Sequence, residues 1–178
     1  MALMRAQSST LLLVDFQTKL MPAIDQPDTQ LANARRLIDA ARLFGVPMVL
    51  TEQNPKGLGK TVAGLTPDPA AVVPKMTFNA HGPPGSLLLQ KVQSWDVIVA
   101  GWEAHVCVLQ TVLALINAGR QVFVVRDAVG SRHAESKNAA LERMQANGAE
   151  LVTAEMVVFE WLETAEHPRF RDAIALIK

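Results

Sequence analysis

The chain has one cysteine, no excess of either charge and no long apolar run, and each of these scarcities excludes a class of protein. A single cysteine among 178 residues, Cys107, cannot form an internal disulfide framework, so the composition fits a reducing compartment. The 17 lysines and arginines equal the 17 aspartates and glutamates, which gives no electrostatic reason to expect nucleic acid or an anionic membrane as a partner. The first apolar run, residues 11–14, is too short to cross a bilayer.

The composition and length predict one domain spanning residues 1–178. Hydrophobic residues make up 49% of the chain, which is enough for a sizeable core, and no repeat, low-complexity tract or linker divides it. The first eight residues lack the ordered basic and apolar regions of a signal peptide. Together with the single cysteine, this leads us to expect a cytoplasmic protein.

Short apolar segments alternate with segments of helical period along the chain. The predicted strands are 10–15, 46–51, 72–75, a segment beginning at 96, 121–125 and 150–153. The predicted helices are 29–44, capped by Asp28, then 84–93, a helix ending near 119, 135–147, 155–163 and 168–177. This alternation predicts an α/β protein with a doubly wound, Rossmann-like, mostly parallel sheet and helices on both faces.

The stretch from Asp96 to Val108 is the centre of the predicted sheet. It opens as an apolar strand, is predicted to break at Gly101, and resumes as a helix with Cys107 just inside it. A helix N-terminus offers free backbone N–H groups and a partial positive charge. Both features would lower the pKa of the Cys107 thiol and make it a nucleophile.

The carboxyl ends of the predicted strands bring Asp15, Glu52, Cys107 and Asp127 to one sheet edge. A carboxylate there can take the thiol's proton, a nearby Lys75 can favour the thiolate, and backbone N–H groups can receive an oxyanion. That is acyl transfer through a thioester. Any parallel sheet brings acids to this edge, however, and cysteine is often a small buried hydrophobe.

Three separated motifs, in the same order, resemble the isochorismatase-like cysteine hydrolase family. They are residues 15–17, the segment around Lys75 and residues 101–108. Residues 51–59 and 167–170 are most similar to the isochorismatase domain-containing protein branch of that family, so the resemblance covers nearly the whole chain.

The resemblance implies a six-stranded doubly wound fold and a catalytic triad of Cys107, Asp15 and Lys75. It also implies a non-proline cis peptide between Trp102 and Glu103, and an oxyanion hole formed by the backbone N–H groups of Glu103 and Cys107. Members of such families are usually oligomers, so the resemblance implies a homo-oligomer.

Further polar and aromatic residues at the predicted edge are candidates for a substrate pocket, namely Phe16, Gln17, Glu52, Gln53, Phe78 and Trp102. For the polar ones the alternative is ordinary solvation at a strand end, and for the aromatic ones it is core packing. His105 lies two positions from Cys107, and such residues do not share a helix face, so a packing role is expected for it. For Asp127 we also expect a structural role.

The sequence predicts neither a metal nor a cofactor. The related nicotinamidases bind metal through an Asp-x-His segment, but the residues two positions before the four histidines are Asn79, Glu103, Ser131 and Ala165. No Gly-x-Gly-x-x-Gly follows the first strand, which argues against a dinucleotide. Residues 57–61 resemble part of a phosphate-binding loop, but Asn54 stands where such a loop needs glycine.

The predicted function is that of a metal-free cysteine hydrolase acting on a small molecule, by cleavage of an amide C–N bond through a thioester. Hydrolysis of isochorismate itself attacks a vinyl ether and needs no cysteine nucleophile, so Cys107 argues against that reaction. Two alternatives remain open at this point. One is a non-catalytic small-molecule-binding or scaffold protein on the same fold, and the other is a thiol redox sensor that uses Cys107.

Overall fold

A computed structural model of the protein describes residues 3–65, 68–82 and 95–178. The strands are β1 (Ser9–Val14), β2 (Met48–Gln53), β3 (Val72–Lys75), β4 (Asp96–Trp102), β5 (Gln121–Gly130) and β6 (Glu150–Val152). The helices are α1 (Pro27–Phe44), α2 (Pro55–Leu58), α3 (Leu109–Asn117), α4 (Ala134–Ala146), α5 (Ala154–Leu162) and α6 (Phe170–Ile177). The helix predicted at 84–93 lies outside the described residues.

The six strands form one parallel sheet in the order β3-β2-β1-β4-β5-β6, which confirms the predicted fold class. Every residue of β1 and β4 is buried, as expected for strands covered on both faces. Strands β2 and β3 are added on one side of β1, and β5 and β6 are added on the far side of β4. The β1–β4 pair therefore marks the point at which the strand order reverses direction. Ligands of doubly wound sheets bind beyond the carboxyl ends of the strands at that point.

Two hydrophobic clusters cover the two faces of the sheet. One packs α1, α5 and α6 against the sheet, with Leu37 and Trp161 fully enclosed. The other packs α3 and α4 against the opposite face and contains Val108, Val112 and Met144. Cys107 belongs to this second cluster. In the described part of the chain, no helix combines the length and apolar character that crossing a membrane requires.

Three predicted element boundaries need correction. Helix α1 begins at Pro27, because Gln26 takes the left-handed cap position and Asp28 lies inside the first turn. Strand β4 does not break at Gly101 but continues to Trp102, with Gly101 paired to Val14 of β1.

The third correction concerns β5, which runs to Gly130 instead of ending at residue 125. Val99 of β4 pairs with Val124, but Gly101 pairs with Val129. The residues between these two pairings are accommodated by a register shift, and the run of buried residues is interrupted there by exposed Arg126 and half-buried Asp127.

Candidate active site

Asp15 lies immediately after β1, at the carboxyl edge of the sheet, and is fully buried. Both oxygens of its carboxylate are held. Oδ1 accepts a 2.6 Å hydrogen bond from the hydroxyl of Thr51 on β2, and Oδ2 accepts a 2.6 Å bond from Nζ of Lys75. The backbone N–H of Asp15 donates to the carbonyl of Thr51 at 3.2 Å. The carboxylate therefore has one fixed orientation.

Lys75 is the last residue of β3, and β2 separates that strand from β1. Its side chain is only 7% exposed. Besides Asp15, its ammonium donates to the carbonyl oxygens of Thr77 and Phe78, each at 3.1 Å. An ammonium has three donors, and these three acceptors match them. Lys75 is therefore held from two sides, by the carboxylate and by the loop that follows its own strand.

Cys107 lies in a π-helical turn, Ala104–Val108, that joins β4 to α3. Burial and the nearby negative charge of Asp15 both raise the pKa of the Cys107 thiol, a hydrogen bond to Asp15 adds to this, and the positive charge of Lys75 opposes it. The direction is opposite to the lowering expected from a helix N-terminus. Burial has the largest effect on the pKa of the thiol, and the positive charge of Lys75 offsets only part of the increase.

The peptide bond between Trp102 and Glu103 is cis, at the position implied by the family resemblance. The Glu103 carboxylate is buried and forms two 2.7 Å hydrogen bonds with the guanidinium of Arg132. These bonds, opposed by burial, lower the pKa of the Glu103 carboxyl group. The backbone carbonyl of Glu103 accepts from the N–H groups of Val106 and Val108, which anchors the start of the turn.

Two of the predicted pocket residues instead hold the loop of residues 54–61 against the sheet. Gln17 donates to the carbonyls of Gln53 and Gly59 and accepts from the Gln53 N–H. Glu52 accepts from the N–H and hydroxyl of Thr61, at 2.8 and 3.0 Å, and pairs with Lys60 at 3.2 Å. Gln17 is fully buried and Glu52 nearly so, and their assignment to a substrate pocket stays a prediction.

The same bonds explain why the glycine-rich part of this loop does not form a phosphate cradle. The N–H of Thr61 is taken by Glu52, and the N–H of Gly57 donates to Asn54. A phosphate-binding loop needs such amides free to face the anion.

The aromatic candidates separate into two groups. Phe16 and Trp102 are enclosed in the cluster beneath α1, with ring centroids 4.8 Å apart, and both belong to the core. Phe78 is 51% exposed, and Met76 is 71% exposed. A groove of about 540 Å³ lies beside them, lined by Asn54, Pro55, Lys56, Pro74, Lys75 and Met76. Gln53 faces this side and donates to the carbonyl of Met76.

His105 and Asp127 have structural partners. The Nδ1 atom of His105 lies 3.0 Å from the Ser131 hydroxyl. One carboxylate oxygen of Asp127 accepts from the N–H of Ala154, at the start of α5, and its carbonyl accepts from Asn33. Within residues 3–65, 68–82 and 95–178, no three His, Cys, Asp or Glu side chains are grouped as metal ligands.

Two threonines were missed by the sequence analysis. Thr51 orients Asp15, and Thr111, which is fully buried in α3, donates to the Cys107 carbonyl at 2.7 Å. Thr111 stands four residues after Cys107, on the same helix face. That spacing is the signal that could have identified it.

Comparison with known proteins shows the same fold and sequence pattern elsewhere. The pattern of the isochorismatase domain matches residues 9–156. The chain is 37% identical over 172 residues to mouse (Mus musculus) isochorismatase domain-containing protein 2A, with 97% of this chain and 84% of the mouse protein covered.

Two solved structures are also similar. A Caenorhabditis elegans protein described as MAR1 ribonuclease superposes with a TM-score of 0.91 at 38% identity, covering 99% of this chain and 92% of that one. The Escherichia coli YcaC gene product, described as an octameric hydrolase of unknown specificity, gives a TM-score of 0.87 at 29% identity, with 99% and 88% covered. With the sheet order and the full-length similarity together, this chain belongs to the isochorismatase family and has its hydrolase fold.

Proposed function

We propose that the protein is a metal-free cysteine hydrolase that cleaves an amide C–N bond of a small molecule through a thioester intermediate. One observation carries the proposal. The Asp15 carboxylate interacts with the Cys107 thiol while Thr51 and Lys75 fix its orientation. A nucleophile, a base within hydrogen-bonding reach and a group that orients the base are the three parts that covalent catalysis needs.

The first chemical step follows from the raised pKa of the thiol. A thiol that is neutral at rest must lose its proton as it attacks, and the Asp15 carboxylate is the neighbouring acceptor. The sulfur forms a bond to the amide carbonyl carbon while the S–H bond breaks and the proton moves to Asp15. Lys75 keeps its positive charge beside both groups and offsets the negative charge that moves from the carboxylate to the substrate.

The remaining steps return the site to its starting state. We assign the N–H groups of Glu103 and Cys107 to the oxyanion that develops on the carbonyl oxygen. The tetrahedral species collapses as the C–N bond breaks, and Asp15 returns its proton to the leaving nitrogen. Water then attacks the thioester, Asp15 takes a proton from that water, and the released thiolate recovers the proton as the acid product leaves.

The groove beside Lys75 is the substrate entrance in this proposal. Its exposed Met76 offers apolar surface, and Lys56 in its lining offers a positive charge. Most ligand sites combine an apolar lining with a few polar groups, and this groove has both. We therefore expect a substrate with an apolar or aromatic portion next to the amide.

The decisive experiment screens small amides against the wild type, Cys107→Ala and Cys107→Ser. Intact-mass spectrometry of a quenched reaction should show an acyl adduct on the wild type, and the released amine should be absent with either variant. Thermal unfolding checks that both variants fold. Turnover by folded Cys107→Ala would contradict the thioester mechanism.

The ribonuclease description of the C. elegans structure suggests a competing substrate. RNA binding normally uses clustered Lys and Arg side chains, whereas the acidic and basic residues of this chain are equal in number. Single-stranded RNA therefore belongs in the same screen. RNA cleavage that persists in Cys107→Ala would favour a ribonuclease over the cysteine hydrolase proposed here.

The octameric E. coli relative supports the proposal that this chain also forms a homo-oligomer. Of the apolar residues near the C-terminus, Val157, Val158, Trp161 and Leu162 are buried in the core of the single chain. Phe159 is 43% exposed and is available for an interface. Light scattering coupled to size exclusion measures the assembly directly, and a single chain of 19.3 kDa would contradict it.

A further inference from the structure

We propose that Thr111 is a positioning residue that fixes the Cys107 turn and the Lys75 loop relative to each other. The Lys75 loop is defined as residues 76–80. The inference rests on the cysteine hydrolase function proposed above, and it adds a residue that acts through the nucleophile and the lysine without touching the substrate.

The hydroxyl of Thr111 connects two elements that are far apart in sequence. It donates to the Cys107 carbonyl at 2.7 Å and accepts from the Ala80 N–H at 2.9 Å. Thr111 is fully buried and Ala80 is 6% exposed, so both hydrogen bonds are shielded from water. A hydroxyl that donates on one side and accepts on the other is the only group of this size that satisfies both neighbours.

The Lys75 loop holds the lysine side chain in place, in addition to Asp15. The carbonyls of Thr77 and Phe78 each accept from the Lys75 ammonium, and the Thr77 hydroxyl closes the loop by donating to the Asn79 carbonyl at 2.7 Å. Ala80 ends this loop, and its N–H is held by Thr111. The position of the ammonium thus depends on where Thr111 places the end of the loop.

The contacts form a closed circuit around the reacting groups. Cys107 is joined through its carbonyl to Thr111, Thr111 through Ala80 to the Lys75 loop, Lys75 to Asp15, and Asp15 to the thiol. Because the sulfur and the ammonium are on different elements, their distance is set by this circuit. Displacements of about 1 Å in such sites can change rates by about 100-fold.

The test replaces the hydroxyl while keeping the shape. Thr111→Val has the same size but cannot hydrogen-bond, and Thr111→Ser keeps the hydroxyl. The matched control is Thr10→Val, because Thr10 is a buried β1 residue whose hydroxyl has no partner among the described residues. The probe is iodoacetamide, which alkylates the single cysteine and needs no known substrate.

We expect Thr111→Val to lower the Cys107 alkylation rate at neutral pH about tenfold and to shift its curve of rate against pH to higher pH, because a displaced lysine favours the thiolate less. With an amide substrate, kcat should fall while KM changes little. Thr111→Ser should restore most of the lost rate, and Thr10→Val should match the wild type. A purely structural hydroxyl would lower the unfolding temperature without shifting the curve of rate against pH, and that result would overturn the proposal.

A second measurement keeps the proposal testable if Thr111→Val does not fold. In the wild type, the Ala80 amide should exchange slowly with deuterium because Thr111 accepts its hydrogen bond. Rapid exchange at Ala80 would also overturn the proposal. If the proposed cysteine hydrolase mechanism is wrong, Cys107→Ala retains turnover. If only the positioning role of Thr111 is wrong, Cys107→Ala is inactive and Thr111→Val behaves like the wild type.

Discussion

Replacing Asp15 by Asn should make the Cys107 thiol more reactive toward iodoacetamide and at the same time abolish amide turnover. The carboxylate has two opposite effects in the proposed site. Its negative charge raises the pKa of the thiol, and it is also the acceptor of the thiol's proton during attack. The amide of Asn removes the charge and the basicity together. It can still accept from Lys75 and donate to the Thr51 hydroxyl, so the packing is kept.

The size of the effect follows from the separation of the two charges. At about 4 Å, a hydrogen-bonding separation for sulfur, a thiolate and a carboxylate repel by about 4 kcal/mol at an effective dielectric constant near 20. Since about 1.4 kcal/mol corresponds to one pH unit, and part of the repulsion is screened by solvent, we expect the pKa of the Cys107 thiol to fall by about two pH units. A less basic thiolate is a weaker nucleophile, so the net gain in rate at pH 7 is about tenfold.

The assay follows the mass of the alkylated chain over time between pH 6 and pH 10, and Cys107 is the only cysteine that reacts. Serine at position 107 provides the blank, and the denatured wild type provides the unperturbed thiol. An unchanged or slower alkylation of Asp15→Asn across this range would refute the conclusion that the carboxylate suppresses the thiolate. Retained amide turnover by the same variant would refute its role as the base.

Three other perturbations test the electrostatics and packing around the site. Lys75→Met leaves the Asp15 carboxylate buried without its ion pair, so the unfolding free energy measured in urea at pH 7 should fall by about 3–5 kcal/mol. A decrease below about 1 kcal/mol would show that the ion pair contributes little to stability. The pKa of Cys107 is raised in the folded protein, so its contribution to stability is complete below about pH 8.5 and is lost as the pH rises. Above that pH, the unfolding free energy of the wild type should fall by about 1.4 kcal/mol per pH unit more steeply than that of Cys107→Ser. Parallel curves of unfolding free energy against pH would contradict this. Gly101→Ala would place a methyl group against a carbonyl of β1, so chemical denaturation should show that the unfolding free energy falls by more than about 2 kcal/mol. Gly119 has a positive φ but open space around it, so Gly119→Ala should lower the unfolding free energy by about 1 kcal/mol.

The alternation of apolar strands and helical segments was sufficient to predict the fold class, because a doubly wound sheet repeats one local pattern several times. The strand order was harder to obtain. Nothing in the spacing of the chain brings Lys75 to Asp15 across 60 positions, since β3 reaches that place only by adding to the far side of β2. The catalytic triad came from the family resemblance and stays a proposal, which the Lys75–Asp15 ion pair supports.

The sequence could not reveal burial, because burial is not visible in a local pattern. The thiol pKa was expected to fall, because a helix N-terminus and a lysine can be read from the sequence, whereas the enclosure of Cys107 cannot. Gln17 and Glu52 were assigned to a pocket because they follow strands. Their partners, Gly59 and Thr61, lie on a loop whose path over the sheet edge could not be predicted from its composition.

The π-helical turn Ala104–Val108 separates the location of the thiol from the packing of the helix that carries it. Val112 and Leu115 of α3 face the core. If residues 104–117 formed one regular helix, the packing of these two residues would also fix the direction of the side chain at position 107. Deletion of Val108, the turn residue between Cys107 and α3, would rotate Cys107 by about 100° relative to that face. If Cys107 is the proposed nucleophile, removal of this one residue should abolish turnover while the core stays intact, so a deletion in the turn tests the proposal as directly as a substitution of the cysteine.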